Sequence, residues 1–182
     1  AVLAGNIGSL KLLQDLQWTG KIYGDYGLNI YNSATCRFFA VEGLSRLTLS
    51  SELTLEQLRA LQNIPQVEKE FLAQGALELM LSEHCLLGAQ LGGHTAGQAC
   101  TRPCKKEGVY SLRDEKGYVF PCRSDQACRL HLFNSVELCL LEDLPELAAT
   151  GIDRIRLDLR LYDSQKAKQI CTLYREWITG GV

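Results

Sequence analysis

The sequence predicts an α/β fold in which short apolar strands alternate with amphipathic helices of about ten residues. Three observations carry this prediction: the strand-then-helix pattern recurs through the first 84 residues, it disappears around a group of cysteines, and it returns near the C-terminus. Because parallel neighbouring strands need a crossover connection, strands that alternate with helices in this way predict parallel βαβ units.

The N-terminal part contains four such units. The first strand is predicted at Val2-Leu3-Ala4-Gly5, and an amphipathic helix follows from Ile7 to Leu16. Further strands are predicted at 21–25 with 28–31, at 46–49 and at 67–72, with helices after the caps Asn32-Ser33 and from Thr54 to Leu61. Four units are half of an eight-stranded barrel, so we predict partial TIM-barrel-like βα units. Because a half-barrel has two open edges and the sequence begins without Met, we expect missing N-terminal sequence, self-association or an open sheet.

The segment from Ser82 to Ser135 loses this periodicity, and we predict an irregular cysteine-rich module there, with one strand at 118–120. About fifty irregular residues need something else to organise them, and a metal centre would do so. The tail is predicted as a helix from Asn134-Ser135 to Ala149, a strand at 152–159 and a helix at 163–178. The predicted division is therefore 1–81, 82–135 and 136–182, with the last part completing the domain of the first.

Charge and hydropathy exclude several classes of protein. The net charge is −2 and the pI is near 6, so bulk electrostatics gives no general attraction to nucleic acid. Between Arg102 and His131, however, seven Lys or Arg residues face four acidic ones, which leaves a local basic excess. No apolar run approaches the roughly 18 residues that span a bilayer, and no basic N-terminal leader is present. We therefore expect a soluble cytoplasmic protein without membrane contact.

Four cysteines form the strongest chemical signal. Cys85, Cys100, Cys104 and Cys128 have the spacing C-x14-C-x3-C-x23-C in a segment rich in Gly, Arg and Pro. Thiolates gathered from one segment suit a soft metal centre, and we interpret these four as metal ligands. Cys122 is the alternative fourth ligand, although the polar context favours Cys128. Spacing alone leaves both zinc and an iron–sulfur cluster open.

The remaining candidates have simpler explanations beside the functional ones. Cys36, Cys139 and Cys171 fall on apolar helical patterns and are predicted as core residues. The three histidines His84, His94 and His131 lie near the cysteines, where a solvent-exposed loop position is the more common outcome and a ligand or proton carrier is the alternative. Asp158 and Arg160 form a surface ion pair or line a pocket in which Arg grips a carboxylate. No common hydrolase or phosphate-loop motif is present.

Several stretches of the chain resemble a known family in the same order. These are "GDYGLNIYNS" (24–33), "GALELMLSEHC" (75–85), "CTRPCKK" (100–106), "YSLRDEKGYVFPCRSDQACRLHLFNS" (110–135) and "LEDLPELAATGIDRIRLDLRLY" (141–162). They resemble the peptidase family U32 proteins, often labelled collagenase-like proteases. The resemblance covers nearly the whole chain.

This resemblance implies a TIM-barrel-like core that carries a four-cysteine [4Fe–4S] cluster. Family members act in oxygen-independent hydroxylation, either of tRNA or rRNA bases or of ubiquinone precursors, and prephenate is implied as a co-substrate for the RNA branch. By position, Cys85, Cys100 and Cys104 match cluster cysteines. Cys128 matches a cysteine in a subgroup with the same long loop.

The resemblance also suggests substrate contacts, with RNA as the expected partner. Asp158 and Arg160 fall where many members have an acid and an Arg in "IEGR". Arg102 and Arg129 adjoin the cluster cysteines and are expected to contact substrate anions. The chain departs from the family pattern "VHGALC", since Gln74 replaces the His and a glutamate, residue 78, replaces the Cys. Any role of that His or that Cys in other family members therefore cannot be assigned to this chain.

Three functions are carried forward. The preferred one is an iron–sulfur protein that is all or part of an oxygen-independent hydroxylase acting on RNA bases or a related aromatic substrate. The second is a collagenase-like peptidase, which requires a reactive cysteine of low pKa. The third is a non-catalytic zinc-binding fragment. No catalytic residue beyond the ligands is identified.

Overall fold

The computed structural model describes residues 1–62, 64, 67–93, 99–105 and 110–180. Its strands are β1 (Val2–Ala4), β2 (Ile22–Gly24), β3 (Leu44–Thr48), β4 (Glu68–Ser82), β5 (Tyr110–Arg113), β6 (Val119–Ser124), β7 (Leu130–Cys139) and β8 (Arg154–Leu157). Its helices are α1 (Ile7–Asp15), α2 (Ser33–Val41), α3 (Leu55–Ala60), α4 (Leu86–Leu91), α5 (Leu144–Ala149) and α6 (Ser164–Ile178). The chain divides into two compact units, one of Ala1–Gly75 with Cys139–Val182 and one of Ala76–Leu138.

The first unit confirms the predicted α/β class. Its strands pair in the order β1, β2, β3, β4 and β8, and each of these pairs is parallel. Helices α1, α2 and α3 connect the first four strands in succession, as crossovers between parallel strands require. This succession is that of a half-barrel.

Side-chain caps explain where the first three helices begin. The Asn6 side chain accepts a hydrogen bond from the Ser9 amide at 2.8 Å, and Asn32 accepts one from the Thr35 amide at 2.9 Å. Thr54 forms a capping box with Gln57 at the start of α3. Each cap satisfies an amide that has no partner inside its helix, so local sequence fixes these boundaries.

The core of the first unit lies on the face of the strands that the helices cover. Leu47 on β3, and Phe71 and Ala73 on β4, are buried there with side chains of α5 and α6. Cys36 on α2 is fully buried in this core, as predicted, and burial raises the pKa of its thiol to about 11. This cysteine is therefore a small apolar core residue.

The opposite face of the same strands carries a network of ion pairs. Glu70 on β4 is almost completely buried, and its carboxylate lies 2.7 Å from Arg156 on β8 and 3.4 Å from Arg46 on β3. Glu68 accepts from Arg46 at 2.8 Å and from Arg154 at 2.8 Å. Because successive strand residues point to opposite faces, Glu68 and Glu70 share this face while the residue between them points to the core.

The second unit is more regular than predicted. The end of β4 lies beside β7, and β7, β6 and β5 form antiparallel pairs, with Cys122 opposite Leu132 and also opposite Tyr110. The prediction of a helix from Asn134 was wrong, because this stretch belongs to β7. The reason is tertiary: the position of β7 between β4 and β6 in the sheet, with burial of Leu130 and Phe133, overrides the cap-like Asn-Ser sequence. In the part of the chain that the structure describes, no helix is long and apolar enough to cross a bilayer.

The ion-pair face predicts a pH dependence of stability. Hydrogen bonds from Arg154 and Arg46 hold the pKa of Glu68 at about 2, against 4.5 for an ordinary glutamate. The unfolded chain binds this proton more readily, so the unfolding free energy is expected to decrease as the pH falls from 4.5 towards 2. Glu68→Gln is expected to flatten this decrease in chemical denaturation at a series of pH values. Glu52→Gln, at an exposed glutamate outside the network, is the control; equal pH dependence in both variants would contradict the prediction.

Candidate metal centre

The second unit contains an open cavity of about 770 Å³. The 3-10 turn Pro103–Lys105 and the segment that joins β6 to β7 line it. Its lining residues are Arg102, Cys104, Lys105, Ser124, Asp125, Gln126, Ala127, Cys128 and Arg129. Four of the eight residues predicted for metal and substrate binding are therefore at one cavity.

The other two predicted ligands lie at the glycine-containing face of α4. Cys85 caps this helix, and its sulfur accepts a hydrogen bond from the Gly88 amide at 3.4 Å. A Cβ atom on Gly88 would lie 3.3 Å from the Cys100 sulfur and 3.6 Å from the Cys85 sulfur. Both thiols therefore face the same helical glycine. Gly92, one turn later, is closer still, since a Cβ there would lie 2.6 Å from the Cys100 sulfur.

Ser124 connects this pair of thiols with the cavity. Its hydroxyl lies 3.5 Å from the Cys85 sulfur, and the same residue lines the cavity beside Cys104 and Cys128. The Arg102 amide donates to the Cys100 sulfur at 3.3 Å, and Arg102 also lines the cavity. Cys85 and Cys100 are thus in contact with two residues, Ser124 and Arg102, that line the same cavity as Cys104 and Cys128.

The alternative ligand Cys122 is placed differently. It is buried on β6, its thiol donates to the Phe120 carbonyl at 3.6 Å, and burial raises the pKa of the thiol. Cys128 is exposed and lines the cavity. Outside this unit, Cys171 is half-buried on α6, whereas Cys139 is exposed at the end of β7 and does not have the predicted core position.

The donor atoms do not form a site for a single ion. Among residues 1–62, 64, 67–93, 99–105 and 110–180, no three Cys, His, Asp or Glu side chains are grouped closely enough to hold one metal ion. A tetrahedral zinc site needs sulfurs about 2.3 Å from one centre. A cluster binds each thiolate to a different iron, so its ligands stand farther apart.

The cavity is rich in positive charge, but its cations differ in their partners. Arg129 contacts Asp125 through its guanidinium at 2.7 Å. The Arg129 amide and guanidinium, both donating to Asp125, hold the pKa of that carboxyl at about 2. Arg102 and Lys105 are exposed, and no side-chain partner is found for either within the described ranges. An anion in the cavity therefore meets Arg102 and Lys105 more readily than Arg129.

Asp158 and Arg160 form a local ion pair with each other, which is the simpler of the two roles predicted for them. They lie just after β8 in the first unit, and the Arg160 guanidinium donates to the Asp158 carboxylate at 2.6 Å. Neither belongs to the described lining of the cavity.

Two polar groups near the cavity were not selected from the sequence. Asp125 accepts hydrogen bonds from the Ala127 and Arg129 amides, and Ser124 contacts Cys85. The sequence signal for Asp125 was an acid three residues before a cysteine, where aspartate commonly caps a turn. Of the three histidines, His131 is largely buried, His84 is exposed and His94 lies outside the described residues.

Comparison with known proteins gives a consistent result. The model of peptidase family U32 matches residues 1–181. The chain is 36% identical to tRNA hydroxylation protein P of Escherichia coli (strain K12) over 118 residues, which cover 64% of the chain and 26% of the relative. It is 24% identical to tRNA hydroxylation protein P2 of Bacillus subtilis (strain 168) over 152 residues, covering 84% of the chain and 48% of the relative.

The name of a third relative refers to ribosomal RNA instead of tRNA. The chain is 25% identical to the 23S rRNA 5-hydroxycytidine C2501 synthase of Escherichia coli (strain K12) over 188 residues, covering 92% of the chain and 28% of the relative. The chain thus spans less than half the length of these curated relatives. No solved structure matches it.

The glycine face of α4 predicts a packing effect on Cys100. In Gly92→Ala the new Cβ would lie 2.6 Å from the Cys100 sulfur and 2.7 Å from the Gly88 carbonyl oxygen, so the thiol is expected to move outward. Alkylation of Cys100 in the metal-free protein, followed by peptide mass spectrometry, is expected to be faster than in the wild type. The faster alkylation is expected because the new methyl group overpacks the site and displaces the thiol, and such overpacking also costs about 1–3 kcal/mol of stability.

Two further variants control this experiment. Gly88→Ala, with its milder contact of 3.3 Å, is expected to give a smaller acceleration. Gly5→Ala introduces a Cβ that meets nothing within 4 Å and is expected to leave the labelling of Cys100 unchanged. Labelling of Cys100 at the wild-type rate in Gly92→Ala would contradict the packing described above.

Proposed function

Because the chain belongs to peptidase family U32, we propose that it is part of an oxygen-independent hydroxylase that modifies RNA bases. The names of its relatives, which refer to hydroxylation of tRNA and 23S rRNA, support this choice within the family. The structural observation that carries the proposal is a cavity lined by two thiols, Cys104 and Cys128, and by the basic residues Arg102, Lys105 and Arg129. A cytoplasmic location, with access to tRNA and ribosomes, follows from the same proposal.

In this proposal Cys85, Cys100, Cys104 and Cys128 hold a [4Fe–4S] cluster. The fit rests on the donor set, two thiols that line the cavity and two that contact lining residues. It also rests on Gly88 and Gly92, whose missing side chains leave room for the Cys85 and Cys100 sulfurs. When bound, such a cluster supplies one-electron chemistry and an iron that acts as a Lewis acid.

The residues of the chain contribute anion binding at the rim. Arg102 and Lys105 are placed to contact RNA phosphate or the carboxylates of a co-substrate such as prephenate. Arg129 is already neutralised by Asp125, so it positions the loop rather than binding the anion first. Arg160 is proposed as a substrate contact only if its pairing with Asp158 opens.

A peptidase function has weaker support. A cysteine nucleophile needs a base within hydrogen-bonding distance. His131, a partly buried histidine near the cavity, contacts the carboxylates of Glu78 and Asp125 instead. The peptidase and the zinc-binding fragment therefore enter as outcomes of the experiments that follow.

The cluster is tested by composition. Protein purified without oxygen is expected to be brown, with about four iron and four sulfide per chain by chemical analysis. The double variant Cys85→Ala, Cys104→Ala is expected to lose the colour and the iron, because two ligands are removed. The matched control is Cys171→Ala, which removes a thiol of the other unit and is expected to keep both.

Other compositions would point elsewhere. A colourless protein with one zinc per chain would overturn the cluster and favour the zinc-binding fragment. A metal-free protein with protease activity that depends on one thiol would favour the peptidase. If the cluster is present, the appearance of hydroxylated nucleosides in RNA incubated with the protein tests the reaction itself.

The basic rim predicts a salt-dependent effect on RNA binding. Arg102→Gln removes one cation from the cavity, and the affinity for a tRNA transcript is expected to fall. The slope of log Kd against log salt concentration is expected to decrease by about one, as for the loss of one phosphate contact. Arg113→Gln makes the same charge change at an exposed residue of β5 outside the cavity. Equal losses in the two variants would contradict a specific role for Arg102.

A further inference from the structure

Cys128 lies on a tight turn between β6 and β7. The Cys128 amide donates to the Asp125 carbonyl at 3.2 Å, and the Asp125 amide donates to the Arg129 carbonyl at 3.0 Å. The backbone of Cys128 has a φ of +62°, in the left-handed region that residues other than glycine rarely adopt. A cysteine is held in this conformation only when the surrounding contacts stabilise it.

The Asp125 side chain supplies those contacts. Its Oδ1 accepts hydrogen bonds from the Ala127 amide at 2.9 Å and from the Arg129 amide at 2.9 Å. These two residues precede and follow Cys128. Its Oδ2 accepts from the Arg129 Nε at 2.8 Å. One carboxylate thus fixes the chain before and after the cysteine.

Asp125 is in turn supported from the sheet. His131 on β7 has its Nε2 3.4 Å from the Asp125 Oδ2, and its Nδ1 lies 3.0 Å from the Glu78 Oε2 on β4. The His131 and Glu78 side chains are 18% and 11% exposed, so water competes little for these bonds. The His131 ring also lies nearly parallel to the Phe133 ring, with the two centroids 6.4 Å apart.

We propose that Asp125 is the positioning residue for Cys128, and that His131 and Glu78 hold Asp125 in place. The turn presents the Cys128 thiol to the cavity in one conformation before any metal arrives. This inference rests on the proposed function, in which Cys128 is a cluster ligand. Its physical basis is pre-organisation: a ligand already in its bound conformation costs less to order when the metal binds.

The test uses two readouts, of which the first needs no metal. In Asp125→Ala, hydrogen exchange of the Ala127 and Arg129 amides is expected to accelerate in the metal-free protein, because both lose their acceptor. Asp125→Asn keeps one acceptor oxygen and is expected to exchange at an intermediate rate. The control is Asp114→Ala, since Asp114 caps the β5–β6 turn by accepting from the Tyr118 amide at 2.8 Å, away from the cavity.

The second readout is retention of the cluster. After anaerobic reconstitution with iron and sulfide, Asp125→Ala is expected to lose iron to a chelator at least tenfold faster than the wild type and Asp114→Ala. The rates of iron loss from His131→Ala and Glu78→Gln are expected to lie between those of the wild type and Asp125→Ala. Circular dichroism of each variant checks that the unit is folded. A comparable loss of structure in Asp114→Ala and Asp125→Ala would attribute the faster iron loss to general destabilisation and overturn the proposal.

The cysteine itself separates the two proposals. If Cys128→Ala retains iron as well as the wild type, Cys128 is not a ligand and the ligand set of the proposed function is wrong. If Cys128→Ala loses iron and Asp125→Ala retains it at the wild-type rate, the ligand set stands and the positioning role of Asp125 is wrong. Loss in both variants, with accelerated exchange only in Asp125→Ala and Asp125→Asn, supports both.

Discussion

The close approach of the Gly75 backbone to the Asp158 carbonyl is the constraint on which the course of β4 depends. Gly75 has a φ of +130°, and a Cβ atom there would collide with that carbonyl oxygen. Glycine alone allows both the conformation and the approach. Just before this point the pairing of β4 with β8 changes register. The strand continues beyond it and carries Glu78 to the place where it meets His131.

Much of the first unit could be predicted because its signals are local. Asn32 and Thr54 are recognisable caps, and the apolar periodicity between them and the following strands is strong. The error at Asn134 has the opposite origin, since Asn-Ser is a good cap sequence that here lies inside a strand. What decides its structure is the place of β7 between β4 and β6 in the sheet, and a local window of sequence around Asn134 does not contain β4.

The candidate site divides in the same way. The cysteine spacing and the local basic excess pointed to the cavity, because they are properties of one segment. The contacts that hold the Cys128 turn could be predicted only in part from the sequence. Asp125 is close to Cys128 in sequence, whereas Glu78 and His131 are 53 residues apart.

The ion pairs of the first unit have a consequence for how its strands align. Glu68 and Glu70 face Arg46, Arg154 and Arg156 across β3, β4 and β8, while Lys69 between them faces the core side and pairs with Asp153. A slip of β4 by one residue would exchange the two faces. It would bring the Lys69 ammonium against three guanidinium groups and turn two carboxylates into the apolar core. Misaligned pairings are thus penalised by repulsion and by desolvation, and the charges select the register as well as joining the strands.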